Sequence, residues 1–285
     1  MKLLKHERDF PNVIRAFLAP FIFFWPYIFG LPEGYELLTA IIVYFALGDS
    51  NYILHLHIHH PFTRSRPVNM ALDLCLASVT GMTASNWRIQ HLHGHHRGVE
   101  LLFNGSKDWE IEKYSPLRAL SYCLRSMWLT FCRPFMETVR KGVLDAVRQP
   151  INYRWGFIEH CLLFTLVLLL AWIDAGILLL YTLPLYVLTY FITRYVDYLN
   201  HYGCNEDSEN KYEHANNSLS PMFNRLTHNF GYHTAHHLIP GAHWTALPDI
   251  HRRIEHRIPE RCKKPVNWSW VLIPYHFYLS RLGRM

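Results

Sequence analysis

The chain has 285 residues, half of them apolar and 15% aromatic, with a formal charge of +6. That length suits one large domain, and the basic residues form no Lys/Arg run of the kind that marks a nucleic-acid surface, so no nucleic-acid partner is expected. Six cysteines occur without a CxxC pair, which argues against a rubredoxin-like or zinc-ribbon cluster within the chain; the unusual count is 20 histidines.

Four apolar runs reach the length that can cross a bilayer. The first, about 14–30, contains FLAPFIFFWPYIFG and follows Lys2, Lys5 and Arg8. It is long, Phe/Trp-rich and lacks a small-residue cleavage site, so it reads as a retained span, not a signal peptide. The second, about 37–53, leads directly into His55, His57, His59 and His60. The stretch 71–85 is apolar but short and is interrupted by Asp73, which predicts a half-buried or interfacial helix. A second histidine cluster follows at His91, His93, His95 and His96. Residues 118–148 mix basic, apolar and aromatic side chains and predict amphipathic helices on the membrane face. The third run is about 156–172, and the fourth about 176–195, with Pro184 expected to kink it. His201 follows the fourth run, His233, His236 and His237 form a third cluster, and Trp268 and Trp270 read as interface anchors.

The linkers 31–36 and 173–175 carry acidic residues but no Lys or Arg. By the positive-inside rule this pairs the spans into two hairpins and puts both termini in the cytoplasm. The expected fold is all-α: a single integral membrane domain over 1–285, with four transmembrane helices and a cytoplasmic helical cap formed by 54–155 and 196–285.

The histidine spacing carries the chemistry. His55 and His59, and again His91 and His95, are four apart and share a helix face, while His96 lies about a quarter-turn round. His233, His236 and His237 are spaced i, i+3, i+4, and His201 sits where the fourth span emerges. His57, His60, His93, His228, His243 and His251 fall outside this spacing and read as supporting or surface residues. Imidazole suits iron, copper, zinc and nickel. Zinc takes about four ligands, so eight or nine convergent imidazoles fit two metal ions with open positions for dioxygen.

The motifs HLHIH at 55–59, HLHGHH at 91–96 and HTAHH at 233–237 resemble the histidine boxes of the membrane fatty acid desaturase/hydroxylase superfamily. The surrounding HHPFTRSRPVN, NWRIQHLHGHHR and HNFGYHTAHHLIPGAHWTALPDIHRRI are similar to desaturase sequences, and the likeness covers about 40–255. HxxGHH at 91–96 and NHYG at 200–203 resemble membrane alkane monooxygenases instead. The resemblance implies a di-iron centre of two Fe ions held by His55, His59, His91, His95, His96, His201, His233, His236 and His237. It implies an oxygen-dependent oxidoreductase that desaturates a fatty acyl lipid, or, in the second reading, hydroxylates an acyl chain, alkane or terpenoid.

Ligand imidazoles need hydrogen-bond acceptors to orient them. Candidates are Asp49, Asp197, Asn200 and Asn229, with Asp73, Asp108 and Glu213 as further ones. No cytochrome b5-like His-Pro-Gly-Gly, nicotinamide, flavin or iron–sulfur motif occurs, so two electrons are expected from an external ferredoxin, rubredoxin or cytochrome b5. A bacterial inner membrane is the expected location. A reading of another class, a His-rich zinc transporter or metal sensor, would need ionisable groups inside the spans, and Asp49 near one end is almost all they offer.

Overall fold

The structure, a computed structural model, describes residues 3–30, 34–96, 115, 117–127, 135–136, 139, 153–204 and 208–264. Most of 118–148, together with Asp108, Trp268 and Trp270, lies outside the described residues. What is described is mostly helical, as the all-α expectation requires. In chain order the helices are α1 (Phe10–Phe23), α2 (Trp25–Phe29), α3 (Glu36–His59), α4 (Arg66–Thr80), α5 (Ala84–Trp87), a π-helix (Arg88–His95), α6 (117–127), α7 (Tyr153–Ile177), a second π-helix (Leu178–Thr182), α8 (Leu183–His201), α9 (Pro221–Leu226), α10 (His233–Leu238) and α11 (Leu247–Ile254). Strands β1 (Asn217–Ser218) and β2 (Lys263–Lys264) pair in parallel.

The chain divides into two compact units, Met1–Arg97 with Thr130–Tyr190, and Gly98–Leu129 with Phe191–Met285. In the first, α4 packs against α1, α3 and α7. Ala19, Phe23, Val43, Leu47, Val79 and Tyr186 form its core, with the Phe23 and Tyr186 rings stacked at 5.8 Å. Gly81 ends α4 in the left-handed region, φ 68°, under the Tyr186 ring. Only glycine takes that conformation without strain, and only glycine leaves the ring room. Glu159 of α7, fully buried, accepts hydrogen bonds from the Ser85 amide and hydroxyl and so ties α5 to α7.

The first predicted span is not one helix. It breaks at Phe24, between α1 and α2. Pro26 lacks the N–H that would continue the ladder, which accounts for the break. The segment Tyr153–His201 is long and apolar enough to cross a membrane, with mean hydropathy 2.5 and only 11% of its most apolar stretch buried. A core helix of a soluble protein would hide such a surface; here Trp172 and Leu180 stand more than four-fifths exposed. The segment is interrupted at Asp174, whose φ of −157° is not helical. Asp174 Oδ1 accepts the Ile177 amide at 2.9 Å, capping the helix that follows. This break falls inside the predicted 173–175 linker. The π-helix just before Pro184 loosens the backbone ladder where proline cannot donate.

The second unit packs α6 on α8 through Tyr122, Cys123, Tyr195, Tyr198, Leu199 and Tyr202. Asparagine side chains organise its loops. Asn217 accepts the Thr234 amide at 3.1 Å and donates to the Thr234 hydroxyl at 2.7 Å. Asn224 donates to the Ser218 carbonyl at 2.8 Å and accepts the Gly231 amide at 2.9 Å. His228 and Asn229 take positive φ, 55° and 64°, in the turn that delivers the chain to α10.

Candidate metal centre

In the first unit, the last turn of α3 carries His55 and His59 on one face, with ring centroids 4.7 Å apart. The π-helix carries His91 and His95, and His96 caps its end. An α-helix turns about 100° per residue and would set His96 about 140° away from His91; a π-helix of about 4.4 residues per turn sets it about 50° away. The His96 amide bonds the His91 carbonyl at 3.0 Å, the i→i+5 pattern that makes this possible. As a result His91 Nε2 lies 2.9 Å from His55 Nε2 and 3.1 Å from His96 Nε2. One ligand atom each of His55, His59 and His91 lies within 4.8 Å of the other two. His95 stacks on His91 at 5.2 Å, and Trp87 covers the His91 ring at 5.0 Å.

The second unit holds its own triad. His201 Nε2 lies 3.3 Å from His233 Nε2, and His237 Nε2 lies 3.2 Å from the same atom. His201, His233 and His237 likewise bring ligand atoms within 4.8 Å of one another. The buried His236 ring is 5.5 Å from that of His233. His201 Nδ1 donates to the His214 carbonyl at 3.0 Å, which leaves Nε2 as its donor atom.

Burial pushes the His55 imidazole down to about 3, with His96 adding to the effect. Burial and the neighbouring rings of His96, His55, His59 and His95 lower His91 well below the usual range. Burial also lowers His201. These imidazoles are held neutral, the form that binds a metal.

Asp49 pairs with Arg15 at 2.7 Å. Asp197 accepts from the Tyr122 hydroxyl at 2.8 Å and from the fully buried Arg194 at 3.2 Å. The Asn200 main-chain carbonyl accepts the Asn216 main-chain amide at 2.7 Å, and the Asn229 side chain donates to the Trp244 carbonyl at 3.1 Å. Glu213 binds Ser208 at 2.5 Å and pairs with Arg261. The main-chain carbonyl of His214 orients His201, an acceptor that no side-chain signal reveals. Asp73 takes up Arg88 and faces His57; burial alone would raise its carboxyl, but His57 and Arg88 outweigh that and hold it low. Asp197→Asn is expected to cost about 3–5 kcal/mol, because it removes the charge paired with buried Arg194. Thermal unfolding in detergent measures this.

A family model described as fatty acid desaturase matches residues 31–270. The chain belongs to the fatty acid desaturase family. No curated protein and no solved structure matched it. All three histidine boxes and His201 lie inside the matched region. Membership makes this desaturase-family chain an oxygen-dependent oxidoreductase of a membrane-bound, di-iron, histidine-box family that acts on acyl lipids with an electron donor.

The donors fit the family's metal. At a metal–nitrogen bond of about 2.1 Å, ligands 90° apart have nitrogens about 3.0 Å apart. The Nε2 separations within the two units run from 2.9 to 3.3 Å. Neutral rings facing one another so closely need a shared proton or a cation between them, and His91 Nε2 faces two such neighbours.

Proposed function

We propose that this chain is an oxygen-dependent desaturase that inserts a double bond into the acyl chain of a lipid, with electrons from an external ferredoxin, rubredoxin or cytochrome b5. The observation that carries the reading is the pair of all-imidazole triads inside a desaturase-family chain. Iron at His55, His59, His91, His95, His96, His201, His233, His236 and His237 would supply the oxidising power for breaking a C–H bond. The chain's own residues set the donors. His214 fixes the tautomer of His201, Trp87 shields the face of His91, and burial keeps the rings neutral.

The balance of the reaction is one dioxygen, two electrons and two protons consumed, two hydrogens lost from adjacent CH₂ groups and two waters formed. The arrangement we propose around it is a single domain with four spans at about 14–30, 37–53, 156–172 and 176–195 and a cytoplasmic cap. Both termini are cytoplasmic and the membrane is a bacterial inner membrane. The exposed apolar surface of α1, α3 and α7 and the acidic linkers support this arrangement.

A second reading, hydroxylation of an acyl chain, alkane or terpenoid, is favoured by HxxGHH at 91–96 and NHYG at 200–203. Lipid profiling by mass spectrometry of a host with and without the gene separates the two. Desaturation gives products lighter by two hydrogens, and hydroxylation gives products heavier by one oxygen. A His236→Ala host should match the empty host. An unchanged lipid profile with an electron donor co-expressed would end both readings.

A further inference from the structure

Asp73 stands outside the donor set but gathers the first-unit elements that carry it. The residue is 3% exposed on α4. Its Oδ1 accepts from Arg88 Nη2 at 2.8 Å and faces His57 Nε2 at 3.3 Å. Its Oδ2 accepts from Arg88 Nη1 at 3.1 Å and from the Trp155 indole at 3.3 Å. A carboxylate has about four lone-pair sites; here three hydrogen bonds reach it, two from Arg88 and one from Trp155, and the His57 ring lies beside it. One side chain therefore joins α4 to α3, the π-helix and α7.

His57 is fully buried. It lies two residues from both His55 and His59, about 200° round α3 and so on the opposite face. The Phe62 amide donates to His57 Nδ1 at 3.4 Å. That leaves the ring proton on Nε2, the nitrogen 3.3 Å from Asp73 Oδ1. Arg88 lies three residues before His91 on the π-helix. Both donor-bearing helices thus meet the same carboxylate. The side chains reach about 6 Å from a helix axis, so a 20° rotation would carry a ring nitrogen about 2 Å. Metal sites tolerate about 0.2 Å. An untethered helix would not hold its donors.

We propose that Asp73 is a positioning residue that fixes the rotation of α3, through His57, and of the π-helix, through Arg88, and so sets where the first unit's imidazoles stand. The proposal rests on the metal-centre reading above.

Cobalt(II) titration of the metal-free full-length protein in detergent tests it, because cobalt absorption in the visible reads ligand geometry without turnover. Asp73→Asn is expected to bind cobalt about 10–100-fold more weakly than the unsubstituted chain, with a shifted absorption band and unchanged helical circular dichroism. His57→Phe should lose at least tenfold, whereas His57→Gln, whose amide can still donate to Asp73, should restore most of the binding. Unaltered binding in Asp73→Asn or His57→Phe overturns the proposal. So does His57→Gln as weak as His57→Phe, which would make His57 a ligand or a packing residue. If Asp73→Asn does not fold, the His57 pair decides. An unsubstituted chain without an imidazole–cobalt spectrum would bring down the metal reading itself, whereas a normal spectrum in all variants removes only the role of Asp73.

Discussion

His91→Ala is expected to reduce product formation to background, a loss of well over 100-fold, and to strip the protein of iron. The scale follows from its place in the cluster. Substituting a residue that merely orients a ligand costs about 10–100-fold in affinity or activity. His91 Nε2 is the atom that both His55 and His96 face, at 2.9 and 3.1 Å. Alanine also empties the space between the Trp87 and His95 rings, which hold the imidazole from either side. Lipid mass spectrometry and iron analysis of the purified protein measure the two effects. His256→Ala, at an exposed position near the end of α11, is the control and should retain both product and iron. Iron and product persisting in His91→Ala would show that the second box is not part of the metal centre.

The histidine pattern could be read from the sequence because helical periodicity alone sets which residues share a face. It placed His55 with His59, and it put His57 out of step with them, which is why His57 lies beside Asp73 instead. The close approach of His96 to His91 was not legible in the same way: it comes from i→i+5 bonding of the backbone, a tertiary adjustment that no residue in RIQHLHGH announces. Asp197, four residues before His201 on α8, bonds Tyr122, 75 residues earlier in the chain, and Arg194, partners that spacing does not announce, while its charge also acts on His201. The break in the first apolar run was visible as Pro26, but hydropathy averaged over it.

Gly231→Ala should be among the most damaging substitutions outside the histidines. A Cβ built on Gly231 would sit 2.3 Å from the Ser218 carbonyl oxygen and 2.7 Å from Asn224 Oδ1. The first is backbone and cannot swing aside. The glycine is also clamped on both sides: its carbonyl accepts the Ser218 amide at 2.9 Å, and its amide donates to Asn224 at 2.9 Å. Making room means breaking one of these bonds or moving β1. Overpacking costs about 1–3 kcal/mol, and a buried polar group left unpaired about 1–3 kcal/mol more. The displacement falls two residues before His233, on which His201 and His237 converge, so metal should be lost together with stability. Gly241→Ala is the matched comparison, since its Cβ meets nothing within 4 Å. It should be neutral or stabilising by about 0.4–1 kcal/mol. Thermal unfolding and iron content of the two variants separate a local steric demand from a general intolerance of alanine. Equal stability in both would mean that the chain does not pass so close to Ser218 at this point.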